Sequence, residues 1–456
     1  MMLSYKQLLS LTLLSATAVA SFMGADAAIP DKEEPRVRLR ISGMLDGRLE
    51  PCGCASGQLG GLARRIFNLK SNKNYDLLIE GGNIVKGGTA LDVQKFSTAL
   101  MILDMADYQA IGIGPTDLKL PLKDLVDFFS VSRSAPITSD LKPLLPIPEW
   151  KATAFREFTA ADTKVRVASL TMSKPAGKTA DAFALIPPKE AWANAMAGCA
   201  QSTLRIAIVH AKPESMATIA NLSPRPDLLI GITESVNEPL NNPDPVDGVP
   251  IVYPGIRGRM LLDIILARIN GEPRLTRYRV VHLKGSETLK GAMEDKDTRA
   301  MILAHRHDVK DLGIREAMAR QKKTKDDRKY VGSEVCGDCH EESYEIWKKS
   351  KHSKAWETLE KAEGKKYPWP ITHYPDCISC HTDGYGYESG FINPEKTPEL
   401  EGVGCESCHG PGSVHIEEET PESIIRSEPG DCLRCHDFEQ TPNFNWKKMW
   451  KDIEHY

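Results

Sequence analysis

The sequence predicts two domains of different character: an N-terminal α/β sandwich and a C-terminal domain that is mainly α-helical. Two observations lead to this prediction. Short apolar runs alternate with helical stretches between residues 36 and 281, which is typical of a largely parallel sheet covered by helices. Eight of the eleven cysteines then fall between Cys336 and Cys435, where aliphatic residues are scarce. A chain of 456 residues is long enough for two or three domains.

The composition excludes several classes of protein. Hydrophobic residues make up 41% of the chain and charged residues 26%, with a formal net charge of -4. These values are ordinary for a soluble protein and argue against a disordered chain or a polytopic membrane protein. Because basic residues are not in excess, we expect no nucleic-acid partner.

Residues 1–27 have the pattern of a secretory signal peptide. Lys6 precedes an apolar run over residues 8–20, and small residues follow up to Ala27. The alternative is a membrane anchor, which requires about 20 apolar residues. This run reaches that length only if its serines and threonines are counted. We therefore expect cleavage near residue 27, no membrane span in the mature protein, and a periplasmic or otherwise exported location.

The α/β domain is expected over residues 29–284. Runs rich in Val, Ile and Leu predict strands at 37–41, 76–79, 110–113, 165–170, 205–209, 227–230 and 251–253, and helical spacing predicts helices at 62–69, 93–105 and 189–199. Residues 285–329 are strongly charged and predict a solvated helical linker. Residues 330–456 form the second domain.

Four copies of the pattern Cys-x-x-Cys-His dominate this second domain. Their cysteines are Cys336, Cys339, Cys377, Cys380, Cys405, Cys408, Cys432 and Cys435, and their histidines are His340, His381, His409 and His436. Two thiols three positions apart can each bond to a haem vinyl group, and the adjacent imidazole can ligate the iron. Zinc ribbons leave these histidines unexplained, and a disulfide framework does not require them. The pattern therefore predicts four covalently bound haem c groups, which would fill a domain too poor in aliphatic residues for an ordinary core.

Four further histidines are candidates for the second axial position: His352, His373, His415 and His455. His352 follows the first motif on a helix that leads away from its own haem, so we expect it to ligate a neighbouring one. Met449 is an alternative to His455. A haem ligated on both faces only passes electrons, whereas an open sixth position can bind a small molecule. The sequence is compatible with both.

Further residues around the motifs form a recognisable pattern. They are residues 330–333, Tyr344, Trp347, His352 and Ala355, followed by the segments 380–385 and 403–412. This pattern resembles the cytochrome c-554 family of tetrahaem cytochromes over about residues 330–436. The resemblance implies closely stacked haems, electron exchange with redox partner proteins in the periplasm, and distal-ligand roles for His352 and His415. Some members of that family keep one haem five-coordinate.

The N-terminal half carries a second resemblance. Two segments, residues 46–51 and 60–65, resemble the calcineurin-like metallophosphatase and periplasmic 5'-nucleotidase superfamily. Weaker similarity follows at residues 79–83, 111–114, 209–210 and 255–259. The resemblance covers about residues 36–281 and implies an α/β sandwich.

The catalytic residues of that superfamily do not carry over. Met44 and Asp46 stand where active members have an Asp-x-His pair, Asn83 replaces a bridging Asp, residues 114–117 replace Gly-Asn-His-Glu, and residues 231–234 replace Gly-His-x-His. Only His210 remains at a ligand position. A dinuclear centre needs several nitrogen and oxygen ligands. We therefore expect neither catalytic metals nor phosphatase or nucleotidase activity in this domain.

A different feature stands where the metal loop would be, namely Cys52 and Cys54. Two thiols one residue apart could ligate a metal, form a strained disulfide or take part in sulfur redox chemistry. The alternative is that they only pack or cross-link the loop.

Together these patterns predict an exported tetrahaem c-type cytochrome that transfers electrons between a donor and an acceptor protein. The alternative is a redox enzyme that acts on a small nitrogen or sulfur compound, either at a five-coordinate haem or at Cys52 and Cys54.

Overall fold

The computed structural model describes residues 35–51, 58–160, 162–172, 176–285 and 293–455. The predicted signal peptide and both Cys52 and Cys54 lie outside these residues. Within them, no helix combines the length and the apolar character needed to cross a membrane.

The described strands belong mostly to the N-terminal part of the chain. In chain order they are β1 (Arg36–Ser42), β2 (Leu77–Glu80), β3 (Ala110–Gly112), β4 (Pro136–Ile137), β5 (Leu141–Pro143), β6 (Phe155–Ala160), β7 (Thr163–Leu170), β8 (Phe183–Leu185), β9 (Leu204–Val209), β10 (Leu228–Gly231), β11 (Ile251–Val252), β12 (Met260–Ile269), β13 (Glu272–His282), β14 (Arg320–Lys322) and β15 (Gly386–Tyr387).

Helices are distributed over the whole chain. They are α1 (Leu62–Ser71), α2 (Ala90–Met105), α3 (Leu122–Val131), α4 (Pro188–Ala195), α5 (Met216–Ala220), α6 (Lys296–Asp311), α7 (Ile314–Met318), α8 (Ser333–Gly337), α9 (Glu341–Lys349), α10 (Ala355–Ala362), α11 (Pro375–Ile378), α12 (Cys405–His409), α13 (Ser413–Glu418) and α14 (Trp446–Met449).

Two sheets form the centre of the α/β domain. The six-stranded sheet has the order β13-β12-β1-β2-β3-β4, and the five-stranded sheet has the order β11-β10-β9-β7-β6. Pairing is parallel from β1 to β4 and from β7 to β11, while β12, β13 and β6 add antiparallel edges. The predicted α/β sandwich is therefore present.

The strand sequences explain why the two sheets pack face to face. Along β1 the residues Val37, Leu39 and Ile41 are fully buried and belong to one apolar cluster with Val165 and Ile206 of the second sheet. Successive side chains of a strand point to opposite faces, so alternate positions supply this inner layer. Helices α1 to α3 cover the outer face of the six-stranded sheet, and α4 and α5 cover that of the other.

Each of the seven predicted strands and three predicted helices overlaps an observed element within a few residues. The long hairpin of β12 and β13 was not predicted. Charged residues interrupt the apolar pattern of β13, whereas β12 is a nearly continuous apolar run that is buried along most of its length. The segment predicted as a linker contains α6 and α7. Helix α6 is not fully solvated: Ile302, His305 and Val309 are buried at helical spacing.

The C-terminal part shares a core with these helices. Trp356 and Phe391 stack at 5.0 Å between ring centroids, in one apolar cluster with Leu91 of α2 and Val309 of α6. Two buried cations reinforce the contact. Lys95 Nζ lies 2.6 Å from Asp376 Oδ2, and Arg306 stacks on aromatic rings of the C-terminal part. The two parts of the chain therefore pack as one body.

Breaking the Lys95–Asp376 pair should destabilise this contact. Burial alone would lower the pKa of Lys95, yet the carboxylate of Asp376 raises it. The Lys95→Met variant leaves Asp376 without its cation, and we expect a loss of about 3 kcal/mol in the free energy of unfolding. Urea denaturation followed by far-UV circular dichroism measures this.

The matched control is Lys123→Met, which breaks an exposed pair with Asp127 on α3. Exposed pairs contribute about 0.5 kcal/mol or less. Equal losses in the two variants would contradict a special role for the buried pair.

His210 provides a pH prediction. Its ring is buried at the end of β9, and neither ring nitrogen has a hydrogen-bond partner. Burial lowers the pKa of His210 to about 3. The unfolded chain takes up the proton near pH 6.5 and the native state does not, so the free energy of unfolding falls as pH decreases between these values.

The His210→Leu variant should remove this dependence. Between pH 6.5 and pH 4.5, the free energy of unfolding should fall by about 2–3 kcal/mol less in this variant than in the native chain. His282→Leu on β13, where the side chain is exposed, is the control. An unchanged pH dependence in His210→Leu would show that His210 is protonated in the folded state.

Candidate functional site

Each Cys-x-x-Cys-His motif folds as a short helical turn. The first three motifs lie in or directly beside α8, α11 and α12, and the fourth lies in a 3-10 turn, Asp431–Arg434. In the first and fourth motifs the histidine N–H donates to the carbonyl of the first cysteine, at 2.9 Å for His340 and 2.8 Å for His436. The turn brings both thiols and the imidazole of a motif to one place, as attachment of one prosthetic group requires.

Three motif histidines face a second imidazole. The ring centroids of His340 and His415 lie 6.1 Å apart with an interplanar angle of 14°. His352 and His436 are separated by 6.1 Å. His409 and His455 are separated by 5.9 Å. Each pair joins one motif histidine to one of the histidines that the sequence offered as distal ligands.

These separations fit iron held between two imidazoles. A ring nitrogen bonds a transition metal at about 2 Å, so two opposed rings place their centroids roughly 6 Å apart. Direct stacking of two rings would allow a shorter distance. The donor set and spacing of the three pairs therefore suit bis-histidine haem.

The second ring nitrogen of most of these histidines is already occupied. His409 Nδ1 lies 2.9 Å from the carbonyl of Ile425, and His455 Nδ1 lies 2.8 Å from that of Ile453. His415 Nδ1 contacts the carbonyl of Thr420 at 3.0 Å. A carbonyl fixes the proton on Nδ1 and leaves Nε2 for a metal. Spacing in the sequence gave no signal for these partners.

The second motif differs from the other three. His381 Nδ1 contacts the carbonyl of Ala355 at 2.6 Å, but no other aromatic or imidazole ring packs against His381 within the described ranges. His373, the remaining candidate, bonds through Nδ1 to Thr372 Oγ1 at 3.2 Å. Burial and the charges of Arg315 and Lys310 lower the pKa of His373. The structure does not bring it opposite a motif histidine.

Hydrogen bonds connect neighbouring motifs. The N–H of Cys405 in the third motif donates to Oγ of Ser333, just before the first motif, at 3.1 Å. Arg434 of the fourth motif donates to the carbonyl of Ser407 in the third motif at 2.6 Å. The neighbouring Cys435 of the fourth motif lowers the pKa of Cys380 in the second motif, so these two motifs also lie close together.

Two buried carboxylates hold the third motif in position. Glu406 accepts N–H groups from Gly332 at 2.8 Å and from Gly412 at 2.7 Å. Asp383 accepts from the N–H of Gly404 at 3.0 Å, and burial raises the pKa of Asp383 to about 7. The sequence analysis assigned no role to either carboxylate.

A cavity of about 1880 Å³ runs beside these motifs. Its lining includes thiols of the second, third and fourth motifs together with His352, His381 and His436. Met449, the alternative axial ligand, also lines it. The α/β domain contributes Arg48 to the same wall.

Arg306 of α6 is the clearest functional residue that the sequence analysis missed. Its guanidinium lies 3.9 Å from the ring centroid of Trp369 and 4.2 Å from that of Tyr374, and it pairs with Glu50 at 2.9 Å. Burial alone would lower the pKa of Arg306, but Tyr374, Glu50 and Cys377 raise it. A fixed positive charge thus lies beside the second motif. No motif could have indicated it, because it belongs to the charged segment before the cysteines.

The residues that replace the metallophosphatase ligands form a different network. Asn83 Oδ1 accepts from Thr116, and Asp117 accepts the N–H groups of Asn83 and Gly114 at 2.8 and 2.9 Å. Burial, followed by the nearby charge of Glu234, raises the pKa of Asp46 to about 6. Hydrogen bonds therefore connect loops that carry metal ligands in the resembled superfamily.

Among the described residues no three or more His, Cys, Asp or Glu side chains are grouped so as to hold a metal ion. Cys52 and Cys54 lie outside the described residues.

Sequence comparison places the C-terminal segment. Residues 335–410, which hold the first three motifs, match the family "Cytochrome c554 and c-prime". Cytochrome c-554 of Nitrosomonas europaea is 39% identical over 94 residues, covering 19% of this chain and 40% of that protein. The chain therefore covers well under two thirds of this relative. The family implies covalently bound haem c in the matched segment.

Structure comparison places the α/β domain. NAD nucleotidase of Haemophilus influenzae superposes with a TM-score of 0.54 at 12% identity, covering 81% of this chain and 75% of that chain. A calcineurin-like phosphoesterase of Bacillus subtilis gives 0.46 at 14% identity, covering 60% and 98%. Identities this low concern the fold alone. The chain thus joins a segment similar to cytochrome c-554 to an α/β domain that shares the fold of the NAD nucleotidase, as both sequence resemblances predicted.

Proposed function

We propose that this chain is an exported tetrahaem c-type cytochrome that carries electrons between a donor and an acceptor protein. The observation that carries the proposal is the set of three facing imidazole pairs, each of which contains one motif histidine. The similarity to cytochrome c-554 supports the same role for the C-terminal segment. The haem supplies one-electron chemistry when bound.

The residues of the chain hold and orient the prosthetic groups. The eight motif cysteines would attach the haems, and the four motif histidines would each ligate one iron. His415, His352 and His455 would supply the second ligand of the first, fourth and third haems. Carbonyl partners on Nδ1 fix the orientation of several rings and raise their basicity.

Contacts between the motifs support a continuous order of electron transfer. The first motif adjoins the third, the third adjoins the fourth, and the fourth adjoins the second. We propose that electrons follow this order, entering or leaving at its two ends. The α/β domain packs against the second and fourth motifs, and we expect no catalytic metals in it.

A second candidate function rests on His381. No imidazole faces this ring in the part of the chain described, so the second haem would keep an open position. Such a site could reduce or oxidise a small nitrogen or sulfur compound. If nitrite, hydroxylamine or sulfite reoxidises the fully reduced protein over several turnovers, this candidate replaces the carrier. In this candidate function, Cys52 and Cys54 would form a second site for the same chemistry.

Haem content tests the cofactor assignment. The purified exported protein should contain four haems per chain in the pyridine haemochrome assay, and mass spectrometry should place the new N-terminus near residue 28. The Cys432→Ala/Cys435→Ala variant should contain three. Three haems in the native protein would show that the fourth motif, which lies beyond residues 335–410, is not loaded.

Axial ligation is tested by single substitutions. Replacing His415, His352 or His455 by alanine should convert one low-spin haem in four to high spin, because the iron loses its sixth ligand. Electron paramagnetic resonance of the oxidised protein measures the spin states.

His373→Ala is the matched control and should leave the low-spin signals unchanged. A gain of one high-spin haem in His373→Ala would place His373 on the second haem and contradict the open position. An unchanged spectrum in His415→Ala would contradict the pairing of His340 with His415.

A further inference from the structure

We propose that the α/β domain sets the reduction potential of the fourth haem through Arg257, the loop 437–441 and Thr441. This inference deepens the proposed electron-carrier function and rests on it. It assigns positioning roles to Arg257, Asp437 and Thr441, none of which belongs to a haem motif.

Arginines of the α/β domain hold the loop that follows the fourth motif. Arg257 Nη1 lies 2.7 Å from Glu439 Oε2 and 3.2 Å from Asp437 Oδ2. Its guanidinium also lies 4.8 Å from the ring centroid of Phe438, and that of Arg259 lies 5.0 Å away. These are charge-assisted contacts in a partly buried setting, where they are stronger than exposed ion pairs.

The loop 437–441 contacts the α/β domain near Asp46. Arg257 and Arg48 are among the charges that act on Asp46, which stands at the degenerate ligand position. Arg48 Nη2 also lies 3.7 Å from Glu439 Oε2, and Gln58 Nε2 donates to the Glu439 carbonyl at 2.8 Å. The face that carries metal ligands in the resembled superfamily thus receives an acidic loop of the same chain.

The loop transmits this contact to the motif histidine. Asp437 Oδ1 accepts the N–H groups of Glu439 at 3.0 Å and Gln440 at 2.8 Å, which closes the turn. The N–H of Thr441 donates to the carbonyl of Asp437 at 2.8 Å. Thr441 Oγ1 then lies 2.9 Å from His436 Nδ1. Only the carboxylate of Asp437 and the turn it closes separate Arg257 from this hydroxyl.

The partner of His436 differs chemically from those of His381 and His409. His381 and His409 each place Nδ1 against a backbone carbonyl, at 2.6 and 2.9 Å. His436 instead meets a side-chain hydroxyl, whose position depends on the loop. An acceptor on Nδ1–H makes the imidazole a more basic ligand and favours the oxidised metal. Moving or removing the hydroxyl should therefore raise the potential of the fourth haem.

Substitutions at Thr441 test whether its hydroxyl acts on His436. In Thr441→Val, which keeps the shape and loses the hydroxyl, the ratio of reduced to oxidised fourth haem at a fixed potential should rise about tenfold, or 59 mV for one electron. Thr441→Ser keeps the hydroxyl and should restore the native value. Thr358→Val on α10, which removes an exposed hydroxyl bonded within its own helix, is the control.

The affected haem is identified in the background of His352→Ala, where the fourth haem should be high spin and its titration can be followed separately. Haem content and far-UV circular dichroism must match the native protein in every variant that is compared. A native-like potential in Thr441→Val, with four haems bound, would overturn the inference and leave the carrier function standing. Absence of the fourth haem from the native protein would overturn both.

The role of the α/β domain is tested by Arg257→Gln. If the arginine acts through the loop, this substitution should raise the potential of the same haem, and adding it to Thr441→Val should produce no further rise. Additive shifts, or an effect spread over several haems, would mean that Arg257 acts by its charge alone and would contradict the relay.

Discussion

In the proposed cytochrome, coordination of iron by imidazoles from distant parts of the chain would be the constraint on which the C-terminal domain depends. Each imidazole pair brings a motif histidine to a second segment of the chain. The pairs are His340 with His415, His352 with His436, and His409 with His455. The apolar cluster of this domain is small and also includes Leu91 of the α/β domain and Val309 of α6. Bound haem and its ligands would therefore supply the core that most domains of this size require.

The α/β domain shares the fold of a nucleotidase, and the loops that would carry metal ligands in the resembled superfamily make other contacts here. Hydrogen bonds among Asn83, Thr116 and Asp117 stabilise loops that a metal would otherwise cross-link. Cations on the surface facing the haem motifs contact carboxylates of the C-terminal part, as Lys95 does with Asp376 and Arg257 with Glu439. The domain thus buries and positions the cytochrome part, and electrostatic contacts determine where the two meet.

The sequence was sufficient wherever a pattern is local. Apolar runs predicted seven of the eleven strands in the two sheets, and spacing alone located the four motifs and the histidines now found beside three of them. Features that depend on folding could not be predicted. The Nδ1 partner of His409 is a backbone carbonyl at residue 425, and Arg306 reaches the second motif from α6. His373 was also a candidate distal ligand, but the charges of Arg315 and Lys310 act on it and no motif imidazole packs against it in the described residues.

The spin states of the native protein test the central claim most directly. Electron paramagnetic resonance of the oxidised protein, followed by addition of carbon monoxide after reduction, counts the ligated and open iron positions together. Three facing pairs and an unpaired His381 predict three low-spin haems, one high-spin haem and carbon monoxide bound to one haem in four. Four low-spin haems that do not react with carbon monoxide would contradict the open position at His381, and two or more haems that react with it would contradict the pairing of imidazoles described above.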